Sequence, residues 1–278
     1  MEGAQPAGSR WNFDADNREP PPKGSPGLDV SDPWLPEEDD IDEQVRADLN
    51  RWERGGRVSF VGRDGPREFA VTRAEALSTF EVFLRGRLAL FGPYEDAMLA
   101  SDRWMSHSML SAPMNFDLLD PLKCVSATDD AYRAGHAPLA SVEGYIRQII
   151  GWRDYTWHVY WHFGEAYRDR NKLMAKAPLP HWFSELDADA VAARCLHDVL
   201  ADVRDHGWVH RVPRLMVLGN YALQRGWQPP AVADWFHRCF VDGYDWVMIA
   251  NVIGMSNTPM AARWRPSPTP RAAPTSTA

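Results

Sequence analysis

Histidines, hydroxyls and arginines at short spacings define the chemistry open to this chain. His158 and His162 stand four apart in a stretch of helical periodicity, a spacing that can bring two imidazoles to one zinc ion. Val159 follows His158, so the general base of an HExxH site is missing and metal binding is not expected. His206 and His210 repeat the spacing, but Gly207 lies between them and should end the helix. In His107-Ser108-Met109-Leu110-Ser111 two hydroxyls sit where a connection enters a helix. They suit phosphate oxygens, and they suit equally the capping of that helix. Between Gly144 and Tyr155 an otherwise apolar stretch carries Arg147, Gln148 and Arg153. Arginines in such a setting need an anion, either a bound group or a structural carboxylate such as Asp242 or Asp245. Thirteen tryptophans give bulk to a core, and their rings can also stack on planar ligands or pass electrons.

The elements that must position these groups are helical. Thr72 with Glu75 forms a capping-box pattern that opens a helix through about Leu90, with Ala76, Phe80, Phe83 and Leu84 on one face and Gly92-Pro93 as its stop. Val142, Tyr145, Ile146, Ile149 and Trp152 recur at helical spacing in the strongest helix, from Ser141 to near Gly164. Further helices are expected from about Asp189 to Asp205, from Pro213 to Gly226, and from Pro229-Pro230 to Asp242-Gly243. Only 57–61 and 68–71 alternate in the manner of strands, and weakly. The fold class is therefore all-α with irregular helix packing, preceded by an extended, proline-rich acidic linker over 1–48. The acidic run Glu37 to Glu43 reads as a solvated loop or as the first turn of a helix.

At 278 residues, 45% of them apolar, the chain can bury a sizeable core. Its net charge of -8 argues against nucleic acid only at first sight. Thirteen acidic and four basic residues in 1–48 account for -9, which leaves the remainder near +1 and open to a local basic groove. No apolar run is long enough for a membrane span or a signal peptide, so a cytoplasmic protein is expected. Cys124, Cys195 and Cys239 are far apart and offer neither a disulfide framework nor a complete metal site.

Taken in order, Phe91-Gly92-Pro93-Tyr94-Glu95-Asp96-Ala97-Met98, His107 to Ser111, Glu143 to Tyr155, Arg214-Leu215-Met216-Val217-Leu218-Gly219-Asn220 and Asp242 to Ser256 resemble the photolyase/cryptochrome superfamily. The likeness is to its bacterial branch that carries an iron-sulfur cluster, the prokaryotic (6-4) photolyases. It spans about 8–256, and Trp11 to Arg18 is similar to that family's interdomain linker. The resemblance implies a helical domain that holds FAD, 49–256 here. In the family this domain follows an N-terminal α/β domain, and light-driven electron transfer from reduced flavin repairs a pyrimidine photoproduct in damaged DNA. It implies that Ser108, Leu110 and Ser111 line the FAD phosphates. Glu143, Gln148, Trp152 and Arg153 would lie along the flavin and the lesion pocket. Arg214 and Asp242 would form a charge pair beside the ring, with Asn251 and Ser256 closing the other side.

The chain departs from the family pattern at four places. Relatives carry two adjacent histidines before the Arg-Leu-Met motif, whereas here the pair is His210-Arg211. His210 is thus the remaining candidate for catalysis, beside Glu143, and an arginine cannot exchange protons as a histidine does. Cys195 matches the first ligand of the iron-sulfur cluster but has no later cysteines to join except Cys239, so no cluster is expected. Met248 takes a place that is often polar near the flavin. After Ser256, residues 257–278 become a Pro, Ala, Arg, Ser and Thr mixture, expected to be disordered. A one-base shift of frame would turn it into the family's continuation. The chain is accordingly expected to be a frameshifted fragment, inactive as it stands. The alternatives are a flavin photosensor of the cryptochrome kind and a product without function.

Overall fold

Thr72 opens its helix as the pattern predicts. In the computed structural model, which describes residues 5–256, its hydroxyl accepts the Glu75 amide at 3.2 Å and the Glu75 carboxylate accepts the Thr72 amide at 3.0 Å. Upstream, the acidic run is a helix start: Asp39 accepts the amides of Ile41 and Asp42 and opens α1, Asp40–Arg54, which crosses residue 48. The helix α2, Arg73–Gly86, buries Ala76, Phe80 and Phe83 on the expected face.

The expected stop at Gly92-Pro93 is corrected. The chain breaks earlier, at Arg87, and a separate α3, Leu88–Tyr94, runs through both residues. Arg87 is buried, and its guanidinium donates to the carbonyls of Ser31, Met105 and His107, contacts that hold the backbone at the break. Pro93 has no N–H for the Ala89 carbonyl one turn back. Ser141 replaces that donor: its hydroxyl donates to Ala89 at 2.8 Å and accepts the Gly92 amide at 3.1 Å.

Next come α4, Ser111–Asn115, and α5, Pro121–Arg133. The strongest expected helix is a single rod: α6, Leu139–Ile146, passes through a π-helical turn, Arg147–Arg153, into α7, Asp154–Phe163, and stops at Gly164 with φ 64°. The short α8, His181–Ser184, precedes α9, Arg194–His206, which begins five residues later than expected, after a tight turn at Ala188–Ala190. Gly207 ends α9 in the left-handed region with φ 60°. A second π-helical segment, Pro213–Gly219, leads into α10, Asn220–Gln224. The helix α11, Pro229–Cys239, stops short of Asp242 because Phe240 turns extended and is itself buried. The last described elements are α12, Asp245–Met248, and a third π-helical segment, Ile249–Ser256.

Among the described residues there is no strand, so 57–61 and 68–71 form none, and the architecture is all-α. No helix there is long and apolar enough to cross a membrane. The tail 257–278 lies outside the described residues. Two main cores hold the helices together. One gathers Phe83, Leu88, Phe91, Leu110, Val142 and Tyr145 between α2, α3 and α6. The other gathers Leu200, Val203, Leu218, Trp235, Phe236 and Ile253 between α9, α11 and the later π-helical segments. Each such fully buried side chain contributes about 1.5–3 kcal/mol.

The N-terminal segment is not a loose tether. Asn17 is buried where α3 crosses α6, and its amide donates to the Ala140 carbonyl at 3.0 Å. A Cβ on Gly92 would lie 2.7 Å from the Asn17 Oδ1, and one on Gly144 would lie 2.8 Å from its Nδ2. Glycine at both positions is what admits this side chain.

Candidate functional site

Three of the motif helices contain the three π-helical segments, Arg147–Arg153, Pro213–Gly219 and Ile249–Ser256. Such turns are rare and concentrate at functional sites, because the extra residue redirects side chains that a regular helix would bury or expose. The second packs on the third, and the third packs on α7.

One buried polar network ties the motifs together. Arg214 Nη1 lies 2.9 Å from Asp242 Oδ1 and its Nη2 donates to Asp242 Oδ2 at 3.3 Å and to the Val209 carbonyl at 2.9 Å. Ser111 donates its hydroxyl to the same Asp242 Oδ2 at 2.7 Å. The guanidinium carbon also sits 4.2 Å from the centre of the Phe240 ring. Helix α4 has no side-chain cap, so the capping reading of Ser111 is corrected: its hydroxyl is used by Asp242. Within the same motif Ser108 stands beside the Tyr145 hydroxyl, Leu110 is fully buried, and Met109 is held at φ 59°. A left-handed methionine is strained, a feature that clusters at ligand-binding turns.

The arginines of the Gly144 to Tyr155 stretch fare differently. Arg147 pairs with Glu143 one turn back, leaving Glu143 Oε2 buried without a hydrogen-bond partner. Arg153 reaches no carboxylate: it donates to Asn115 Oδ1 at 2.7 Å and to the Met114 carbonyl at 3.4 Å, and lies 4.8 Å from the centre of the Trp246 ring. Burial lowers its pKa. The two carboxylates that could have met it are engaged elsewhere, Asp242 by Arg214 and Asp245 by Arg168 and the Tyr160 hydroxyl. Trp246 continues outward through Trp157 to the exposed Trp161, ring centres 5.6 and 5.5 Å apart.

Several candidates lie apart from this network or are taken up locally. Trp152 meets Tyr155 edge-on, Asn251 donates to the Val247 carbonyl of its own helix, and Met248 is buried in the core. The Ser256 side chain lies outside the described ones. Cys195 is exposed in the first turn of α9, whereas Cys124 and Cys239 are buried. His158 pairs with Asp154, and His206 pairs with Glu68 and Arg103. His206 and His210 therefore have separate partners.

His210 instead stacks on His107, ring centres 4.3 Å apart. Burial, with Arg211 and Arg214 adding to it, pushes His210 down to about 3, and burial, with His210, Arg211 and Arg87 adding to it, holds His107 well below the usual imidazole range. Both rings are neutral near pH 7, and His107 Nε2 and His210 Nδ1 have no hydrogen-bond partner. Arg211 turns to Asp96 Oδ1 at 2.6 Å and to Glu95 Oε1 at 3.8 Å. Gln148 donates to Glu95 Oε2 at 3.5 Å. Sequence reasoning missed Glu95, Asp96 and His107 as site residues. The signal was present in two consecutive acids between Tyr94 and Ala97, within a stretch that must pack, where a carboxylate needs a cation.

Known proteins resemble this chain in sequence and in fold. The family described as deoxyribodipyrimidine photo-lyase-related protein matches residues 1–56. A (6-4) photolyase of Agrobacterium fabrum is 38% identical over 262 residues, 92% of this chain and 48% of the relative. An uncharacterized protein of Acanthamoeba polyphaga mimivirus is 37% identical over 68 residues, 24% of this chain and 52% of that protein. The chain spans about half the length of the curated relatives it matches. A crystal structure of a bacterial class III photolyase from Agrobacterium tumefaciens aligns with a TM-score of 0.58 at 17% identity, over 80% of this chain and 41% of that one, a likeness of fold.

Proposed function

Because the chain belongs to the photolyase-related family, we propose that it is the flavin-binding helical portion of a light-driven DNA photolyase-related protein. Its cofactor is FAD and its partner is DNA carrying pyrimidine photoproducts. When bound, FAD supplies light-driven one-electron chemistry. The residues fit such a group on two counts. Buried donors and acceptors without partners include His107 Nε2, Glu143 Oε2 and Arg214 Nε on the motifs and His210 Nδ1 beside them. A planar ligand rich in nitrogen and oxygen would satisfy them.

The observation that carries the reading is Arg153. A half-buried guanidinium held by a neutral amide, a carbonyl and an indole face, with Asp117 acting on it without forming an ion pair, is only partly compensated, and an anionic ligand would complete the compensation. Ser108 and Ser111 would meet phosphate oxygens, Ser111 giving up its bond to Asp242, and the Arg214–Asp242 pair would form one wall. Gln148, Trp152 and Asn251 would have to leave their present partners to complete the proposed cradle. Repair itself is a separate matter. Position 211 is an arginine enclosed by two carboxylates and the two neighbouring histidines are neutral, so the proton exchange that repair asks of a histidine has no ready agent here. We therefore propose flavin binding and photoreduction with repair absent or weak in this chain alone.

A second reading, a flavin photosensor, is favoured by the row Trp246, Trp157, Trp161, which leads from Arg153 to an exposed ring. Titration of the chain with FAD, followed by blue illumination with and without (6-4)-damaged oligonucleotide, separates the outcomes. FAD uptake that Arg153→Ala weakens at least tenfold supports the site, as expected for loss of a charged contact worth about 1.4 kcal/mol or more. Measurable repair selects the photolyase reading over the sensor, whereas photoreduction without repair is the outcome common to both. No uptake by a folded chain refutes both.

A further inference from the structure

Two consecutive carboxylates share one guanidinium unequally. Asp96 is the nearer, at 2.6 Å, with a side chain 35% exposed, and Glu95 the farther, at 3.8 Å and 5% exposed. The same Arg211 nitrogen, Nη2, reaches both, and 37% of the arginine side chain is exposed. We propose that Glu95 is a positioning residue for Arg211: a charged Glu95 draws the guanidinium inward, and a neutral Glu95 leaves it free for a phosphate group entering the site. This rests on the proposed function, in which FAD and DNA are both phosphate-bearing ligands of this part of the chain.

The surroundings of Glu95 make this exchange accessible near neutral pH. Among the described residues no backbone amide donates to its carboxylate, which meets the Gln148 amide at 3.5 Å besides Arg211. The charged groups facing it are Asp14 from the N-terminal segment, Asp96 beside it, Arg147 from the π-helical turn and Arg211. Burial outweighs the two arginines and raises the Glu95 carboxyl to about 7. The stacked His107 and His210 lie well below that range and keep their charge state across it. Only Asp96 accepts a hydrogen bond from Arg211, through Nη2, and the remaining N–H donors of the guanidinium stay available to a phosphate once the attraction of Glu95 is removed.

A phosphate could arrive on FAD or on DNA, and two arms distinguish them. Affinities for FAD, by flavin fluorescence quenching, and for a single-stranded oligodeoxynucleotide, by anisotropy, are measured between about pH 6 and about pH 8. The neutral fraction of Glu95 falls about tenfold over that span, so affinity in the responsible arm should fall up to about tenfold. Glu95→Gln should bind at the low-pH affinity throughout, and Arg211→Ala should bind weakly and without pH dependence, each variant melting as a folded protein. A pH response confined to the oligonucleotide arm assigns the phosphate to nucleic acid, and one confined to FAD assigns it to the cofactor. FAD uptake with flat profiles in both arms overturns the role of Glu95 and leaves the flavin site standing. A Glu95→Gln profile that still follows the parent chain, or no binding in either arm, also overturns it.

Discussion

Removing the charge of Asp242 should unlock the network that joins three separated motifs. In Asp242→Leu the Arg214 guanidinium, with a side chain 11% exposed, keeps its charge but loses the carboxylate at 2.9 Å, and Ser111 loses the acceptor for its hydroxyl. Breaking a buried pair from one side costs about 3–5 kcal/mol, a large part of the roughly 5–15 kcal/mol that holds a domain folded. For a chain of this size that corresponds to a fall in Tm of roughly 6–20 °C. Arg214→Leu should cost a similar amount, because a buried carboxylate is then left with one hydroxyl. The double variant removes both charges together and leaves mainly Ser111 without its acceptor, so it should cost only about 1–3 kcal/mol. Urea unfolding of the four proteins of this cycle measures the coupling directly. Single losses below about 1 kcal/mol, or a double loss equal to the sum of the singles, would refute the account of this pair as a closed, mutually compensating unit.

Two further outcomes follow from the packing. Ser141→Ala leaves the Ala89 carbonyl and the Gly92 amide without their shared hydroxyl and should cost about 1–3 kcal/mol in urea unfolding, whereas Ser78→Ala, which removes only a hydroxyl bonded within α2, should change stability by less than about 0.5 kcal/mol. His210 carries a folded-state pKa of about 3, below its unfolded value, so as pH falls below about 6.5 the unfolded chain binds a proton that the folded one refuses. Stability should therefore fall by about 1.4 kcal/mol per pH unit from this ring, and between about pH 6.5 and about pH 5 His210→Gln should lose about 2 kcal/mol less than the parent chain.

Local signals were legible wherever one residue decides the outcome alone. The Thr72–Glu75 box, Gly207 after α9 and Pro229 at the start of α11 could be read directly, because capping and φ preferences act within a few residues. Gly92-Pro93 misled for a reason that lies 48 residues downstream of Pro93, in the hydroxyl of Ser141. The same holds for Ser111: its capping role and its service to Asp242 are alternatives that only the tertiary fold chooses between. Pairing of Arg214 with Asp242 came from the resemblance and is present as a contact. That Arg153 would find no carboxylate could not be read, since both candidates stood in the sequence and their other partners, Arg168 and Arg214, did too. The Glu95, Asp96 and Arg211 cluster was hidden for a like reason: the departure at 211 was visible, while the carboxylates that receive it sit more than a hundred residues earlier.

The seat of Asn17 between Gly92 and Gly144 bears on the order in which the molecule assembles. Its bond to Ala140 closes a loop of 123 residues, and that entropy is best lost after α3 and α6 have already met and formed the slot. Residues near Asn17 should then be the last to lock and the first to release. A protease cutting at the exposed residues just before Asn17 would report this fraying long before the helices beneath it open.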